Sequence, residues 1–222
     1  MTPETYDSEV SGEFDLASAD LKNRMRVTRV LDLILGAVAL LPLGPLMLLV
    51  AMAIRVLNGP PVLFRQTRTG WSGTEISVPK FRTMRAEPPV VPSRVDDASR
   101  VTTLGRILRR TGLDESPQLF NVLAGTMSLV GPRPLLPRYL PWYSDRERRR
   151  FLVRPGLTGL AQVTQRTGLD WDTKLALDAE FVDRYSVGLY LSVLVRTPLA
   201  LLRSGRPPLN ELPLDVERGH AR

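Results

Sequence analysis

The stretch VLDLILGAVALLPLGPLMLLVAMAIRVL, residues 30–57, decides what kind of protein this is. Twenty-two of its 28 residues are apolar, and residues 33–54 carry no charge. As one straight helix it would measure about 42 Å, more than the about 30 Å of a bilayer's hydrocarbon core. Pro42, Gly44 and Pro45 interrupt its middle, and proline deletes a helix hydrogen bond and clashes with the preceding turn. Each half is then roughly 18 Å long, too short to cross alone. Both flanks are basic, with Lys22, Arg24, Arg26 and Arg29 ahead and Arg55, Arg65 and Arg68 behind. The positive-inside rule puts both on the cytoplasmic face. A re-entrant helix–break–helix hairpin over 21–58, entering and leaving one leaflet, satisfies both observations. A kinked full span and a buried core helix are the alternatives. In a hairpin the interrupted backbone must be satisfied by itself or by protein, because lipid offers no partners.

Outside this segment, composition narrows the chemistry. The chain has 222 residues, no Cys and one His. Disulfides, thiolate metal sites, cysteine nucleophiles and histidine triads are excluded together. What remains is carboxylate, hydroxyl, amide, Lys and Arg. Residues 1–20 hold six acids and no base, and mix them with Ser, Thr and Gly as a disordered tail would. The rest has a net charge of +13, and 27 of the chain's 30 bases are Arg. Arg forks bidentately onto phosphate, so the excess suits a phosphate-rich partner, although solvated surface charge accounts for it equally well.

Coarse elements follow from periodicity and punctuation. Residues 61–66 and 74–84 read as strands of a small β-hairpin around the turn at 69–73. Residues 88–93 form a loop. Thr102 or Thr103 caps a helix that Gly112 ends, and Ser116-Pro117 opens another that stops near Gly125. Residues 171–185 form an amphipathic helix, and 189–202 an apolar helix too short to span, interfacial or core. The predicted fold is α+β and mostly helical: the membrane hairpin (21–58), then a cytoplasmic or interfacial catalytic domain (59–203) with interfacial amphipathic helices. A flexible tail (204–222) follows.

The densest chemistry is RRTGLDESPQ at 109–118. Asp114 and Glu115 stand just before a helix start, where amide groups and the helix dipole favour negative charge. An ionised carboxylate there can attack phosphorus or hold Mg2+ beside phosphate oxygens. Acids at a helix start are also common for electrostatic reasons alone. Context comes from KFRTM (80–84), whose Lys80 and Arg82 alternate onto one face of a strand, from GPRP (131–134) and from RPGLTG (154–159). Each is weak singly. Together, downstream of a membrane hairpin, they suggest a phosphate-lined site at a membrane surface.

KFRTM (80–84), RRTGLDESPQLFNVLAGTMSLVGPRPLLP (109–137) and RPGLTGLAQV (154–163), in that order, closely resemble the bacterial sugar transferases, small monotopic phosphoglycosyl transferases acting on polyprenyl phosphates. The resemblance runs from about residue 29 to 205. It implies a nucleophilic Asp114 with Glu115 as catalytic partner, and phosphate contacts from Lys80, Arg109, Arg133 and Arg154. It also implies support from Arg82, Gln118 and Asp178, and a membrane break at Pro42, Gly44 and Pro45. Gly44 stands where the family usually has Ser, and Thr126 where it usually has Asp or Glu.

The implied reaction moves a sugar-1-phosphate from a UDP-sugar to polyprenyl (undecaprenyl) phosphate. UMP leaves, a phosphosugar–aspartyl intermediate forms, and Mg2+ is held by Asp114. The implied place is the cytoplasmic face of a bacterial inner membrane, at the first membrane step of a surface glycan pathway, among membrane lipids. Two rivals remain. A catalytically idle scaffold of the same fold would bind anionic lipid without releasing UMP. A nucleic-acid binder would use the basic body but leaves the charge-free apolar run unexplained, so no nucleic acid is expected. The residues leave the sugar and the oligomeric state open.

Overall fold

One helix, α1 (Ala19–Leu57), carries the whole apolar stretch, with Pro42 and Pro45 inside it. The computed structural model describes residues 19–85, 100–164, 169–203 and 213–219. The acidic segment 1–18, the loop 88–93 and residues 204–212 of the expected tail lie outside them. No interruption divides the apolar stretch into two helices: α1 runs through Pro42 and Pro45 as one element. Each proline removes one hydrogen bond and crowds the preceding turn, which bends a helix as often as it ends one. Packing supplies the positive reason. Met25, Thr28, Asp32, Gly36, Met47, Val50 and Ile54 are buried, and spacings of three and four keep such residues on one stripe. Both halves therefore dock the same stripe on the rest of the protein. The other faces are bare, with Leu41 75% and Val56 81% exposed. Among the described residues α1 is the one helix long and apolar enough to cross a membrane. Nothing lies within 4 Å of where a Cβ on Gly44 would sit, so replacing the usual Ser leaves no void inside the protein.

Strands β1 (Leu63–Thr69) and β2 (Glu75–Phe81) form the expected antiparallel hairpin, with β1 starting and ending later than expected. Helix α2 (Thr103–Thr111) is capped by the Thr102 side chain and ends at Gly112, whose φ of +74° favours glycine. A 3-10 helix, Leu113–Gln118, then leads into α3 (Leu119–Ala124). Strand β3 (Ser128–Val130) pairs in parallel with β4 (Gly156–Thr158). That pairing presses the GPRP and RPGLTG turns together: a Cβ on Gly156 would lie 2.0 Å from the Gly131 nitrogen. Between these strands comes α4 (Asp145–Arg148), and after them α5 (Leu160–Thr164), α6 (Trp171–Asp183) and α7 (Val187–Arg203). Helix α7 is both core and surface, since Tyr190 and Val193 are buried while Leu191, Val195 and Leu199 are exposed.

The flexible-tail expectation needs correction at one place. Leu214–Gly219 is a helix, α8. Leu214 is fully buried with Tyr139, Tyr143, Phe151 and Leu175, and Arg218 binds Glu147, Asp172 and the Trp142 carbonyl. One apolar anchor and one Arg fork give too little periodicity to be read from sequence.

Polar contacts fix α1 to the domain. Asp32 is 2% exposed, and its Oδ1 accepts hydrogen bonds from Tyr190 Oη (2.6 Å), the Leu129 amide (2.7 Å) and Ser128 Oγ (3.0 Å). Arg29 donates to the Val122 and Leu123 carbonyls at the end of α3, and Arg24 to the Tyr185 carbonyl. A charged group at the edge of an apolar helix is tolerable only with such partners. Asp32→Leu strands three buried donors at about 1 kcal/mol or more each. It should lower stability by roughly 3 kcal/mol or more, and Asp32→Asn, which keeps an acceptor oxygen, by clearly less. Thermal unfolding of both variants in detergent checks this.

Candidate active site

The left-handed Gly112 turns the chain out of α2 into the 3-10 helix, so Asp114 and Glu115 sit in that segment's first turn. They precede α3 by a full 3-10 segment rather than standing directly at its start. The segment packs over β2, which brings Lys80 underneath. Glu115 Oε1 receives Lys80 Nζ at 2.6 Å and Arg133 Nη2 at 2.7 Å, and its Oε2 receives Arg133 Nη1 at 3.3 Å. Burial alone would push the Glu115 carboxyl up, but Arg133 and Lys80 outweigh it and hold it far below the usual range. Glu115 is therefore held in its ionised form and fully engaged.

Asp114 differs. Among the described residues no hydrogen bond or ion pair occupies its carboxylate. Burial first, and then the Glu115 charge, push its carboxyl up, offset by Lys80, Arg109 and Arg133. The dyad thus divides into one carboxylate that organises cations and one that stays available. Burial, followed by Arg133, lowers the Lys80 ammonium, which Glu115 partly restores.

Of the expected phosphate contacts, the structure brings Lys80, Arg133 and Arg109 to the dyad. Arg109 is held by Nε donating to Thr83 Oγ1 at 2.8 Å, a contact with no sequence signature. Arg154 goes elsewhere: its Nε donates to the Gly125 carbonyl at 2.9 Å, and its guanidinium lies 4.5 Å from the centre of the Trp71 ring. Arg82 leaves the Lys80 face too, donating to the Asn58, Gly59 and Pro60 carbonyls and so pinning the exit from α1. Gln118 is buried at the end of the 3-10 segment. Thr126 closes an exposed turn with Asn121, which in turn donates to the Ser77 carbonyl. The acid expected there from the family is replaced by a turn contact.

Asp178 acts at one remove. Its Oδ2 pairs with Arg150 at 2.9 Å, both side chains nearly inaccessible, and Arg150 donates to the Arg133 carbonyl at 2.5 Å and to Tyr143 Oη at 3.1 Å. Burial pushes the Asp178 carboxyl up to about 6 against the pull of Arg150 and Arg133. Arg150 sits in the exposed-looking run RERRR (146–150), which is why the sequence concealed it.

Mg2+ can be weighed against these groups. Among the described residues no three acidic or imidazole side chains gather into a cage. Mg2+ typically uses one or two carboxylates plus substrate phosphates. An unengaged Asp114 beside phosphate-binding cations fits that mode.

Two outcomes are expected. Asp178→Ala leaves Arg150 buried without its counter-charge, which typically costs about 3–5 kcal/mol; a fall in melting temperature and a loosened Arg133 turn, read as reduced activity, check it. The Glu115 carboxyl is lower in the folded than in the unfolded chain, so its stabilisation is full above the ordinary Glu value of about 4.3 and drains away as pH falls below it. The wild type should therefore lose melting temperature more steeply than Glu115→Gln between about pH 5 and pH 3.

Similarity to known proteins agrees with this geometry. The family model described as bacterial sugar transferase matches residues 23–204. "Uncharacterized sugar transferase EpsL" of Bacillus subtilis is 40% identical over 180 residues, which are 81% of this chain and 89% of that protein. "UDP-glucose:undecaprenyl-phosphate glucose-1-phosphate transferase" of Caulobacter vibrioides is 42% identical over 187 residues, 78% of this chain and 69% of that protein. "Exopolysaccharide production protein ExoY" of Sinorhizobium fredii is 32% identical over 195 residues, 80% of this chain and 86% of that protein. With a match that takes in α1, the dyad and both pressed turns, the chain belongs to the bacterial sugar transferase family.

Proposed function

We propose that this protein transfers a sugar-1-phosphate from a UDP-sugar to undecaprenyl phosphate, releasing UMP, at an early membrane step of exopolysaccharide synthesis. The observation that carries the reading is the division of labour in the dyad: Glu115 holds Lys80 and Arg133, leaving the Asp114 carboxylate unengaged. In this reading an Asp114 oxygen attacks the sugar-bearing phosphorus. The bond from that phosphorus to the bridging oxygen breaks, its electron pair leaves with UMP, and an acyl phosphate remains. An oxygen of undecaprenyl phosphate then attacks the same phosphorus and restores the carboxylate. Lys80, Arg109 and Arg133 neutralise charge that builds on the phosphoryl oxygens. Glu115 serves by positioning two of those cations, whose charges hold its carboxyl well below the usual range. Bound through Asp114 and substrate phosphates, Mg2+ would supply further charge neutralisation.

The acceptor's phosphate lies at headgroup depth, which asks for a site parked at a membrane surface. The bare faces of α1, its basic residues at both ends, and its single docked stripe support a helix held in one leaflet with both ends cytoplasmic. The exposed Val195 and Leu199 of α7 supply more apolar surface for the interface. The scaffold alternative binds lipid but turns nothing over.

Asp114→Asn keeps the shape and removes the nucleophile. UMP release from UDP-glucose, with Mg2+ and undecaprenyl phosphate present, should fall by about a thousandfold or more. Turnover near the wild-type rate in that variant would exclude Asp114 as the attacking group. No UMP release by the wild type from any of a panel of UDP-sugars would favour the scaffold.

A further inference from the structure

Arg68 was read from sequence as part of the basic flank behind the membrane segment, but the strand register gives it a different address. Antiparallel pairing sets Phe64 opposite Lys80, Gln66 opposite Val78 and Arg68 opposite Ile76. Residues directly opposite share a face of the ribbon, so Arg68 and Gln66 stand on the Lys80 side, the side the dyad segment covers. The end of β1 is also tied to the chain just past Arg133, because the Thr69 amide donates to the Leu135 carbonyl at 2.8 Å.

Arg68 thus sits beside the Arg133 turn, and the groups that act on it are Arg133, Tyr139, Glu115 and Tyr143. Its hydrogen-bond partner is neutral: Nη2 donates to Gln66 Oε1 at 2.6 Å. Among the described residues no carboxylate pairs with it, and Glu115, the nearby acid, already holds Lys80 and Arg133. Burial, and then the Arg133 charge, pull the Arg68 guanidinium down to about 10, the sign of a cation whose surroundings lack counter-charge. Among the described residues Lys80, Arg133, Arg109 and Arg68 stand against Asp114 and Glu115, while Asp178, which also acts on Arg133, is paired with Arg150. A surplus of about two positive charges is what a diphosphate would balance.

We infer that Arg68 is a further phosphate-binding residue of this site, and that it takes the nucleotide-side phosphate of the diphosphate donor, the one that leaves with UMP. This rests on the transferase reading above. The strongest charges on Asp114 come from Glu115, Lys80, Arg109 and Arg133, so Arg68 stands one step further out, on the Arg133 side. An attack by Asp114 at the sugar-bearing phosphorus puts the second phosphate on that outer side. Gln66 holds the fork in place without neutralising it, leaving the charge for the ligand.

The test uses the full chain in detergent, with binding of UDP, UMP and glucose-1-phosphate measured alongside thermal unfolding. Arg68→Gln should weaken UDP and UMP alike, by about ten- to a hundredfold, and leave glucose-1-phosphate unchanged. Its ligand-free melting temperature should stay level or rise, because an uncompensated cation has gone. Arg68→Lys, which keeps the charge but loses the fork, should give an intermediate UDP affinity and serves as the readout if the Gln variant fails to fold. Wild-type affinity for UDP in both variants overturns the assignment of Arg68 while leaving the transferase reading intact. So does a lowered melting temperature with unchanged UDP binding, which marks a structural arginine. A wild type that binds neither UDP nor UMP overturns both.

Discussion

Glu115 receives two cations at once, Lys80 from β2 and Arg133 from the turn after β3. Most of the arrangement depends on that convergence. It joins the two small sheets through one carboxylate and saturates one member of the acidic pair. The other member is left as an unpaired nucleophile candidate in a cationic surround. Neighbouring acids with equal partners would simply repel. Here unequal partners push their ionisation in opposite directions, and that separation is a usual mark of carboxylates with distinct tasks.

The rest of the molecule holds the two cations steady. Behind Arg133 stands the buried pair Arg150–Asp178, with Arg150 gripping the Arg133 carbonyl. Behind β3 stands Asp32, which carries that strand's Leu129 amide and Ser128 hydroxyl on a helix otherwise built for lipid. The close backbone approach of Gly131 and Gly156 sets the turn from the other side. The long apolar helix and the dyad are thus joined by one continuous set of contacts, running from α1 through β3 and the Arg133 turn to Glu115.

Much of this was legible in the sequence, for physical reasons that differ by element. A charge-free apolar run has few structural meanings, so the membrane-associated segment was plain. The caps at Thr102 and Gly112 follow from side-chain and backbone chemistry at helix ends. That Lys80, Arg109 and Arg133 gather around Asp114 and Glu115 was implied by the family resemblance, and the structure brings these side chains together. Three kinds of feature were not legible. Two prolines did not break α1, because its docked stripe is a tertiary contact. The carbonyl contacts of Arg82 and Arg154 were hidden too, since an arginine on a carbonyl and one on a phosphate look alike in sequence. Arg68 and Arg150 required the strand register and the buried pairing, both long-range. Asp32 alone left a signal, as the lone acid at the edge of an apolar run, and the intramembrane-charge argument would have found it.

In the proposed reaction Asp114, and not Glu115, forms the bond to phosphorus. Incubating the wild type with a UDP-sugar it accepts and Mg2+, without undecaprenyl phosphate, and mapping the protein by mass spectrometry after an acid quench tests it most directly. A sugar-phosphate adduct is expected on the peptide containing residues 111–118, with fragments that place it on Asp114. An adduct on Glu115, or UMP released in step with lipid product and never an adduct, would contradict it.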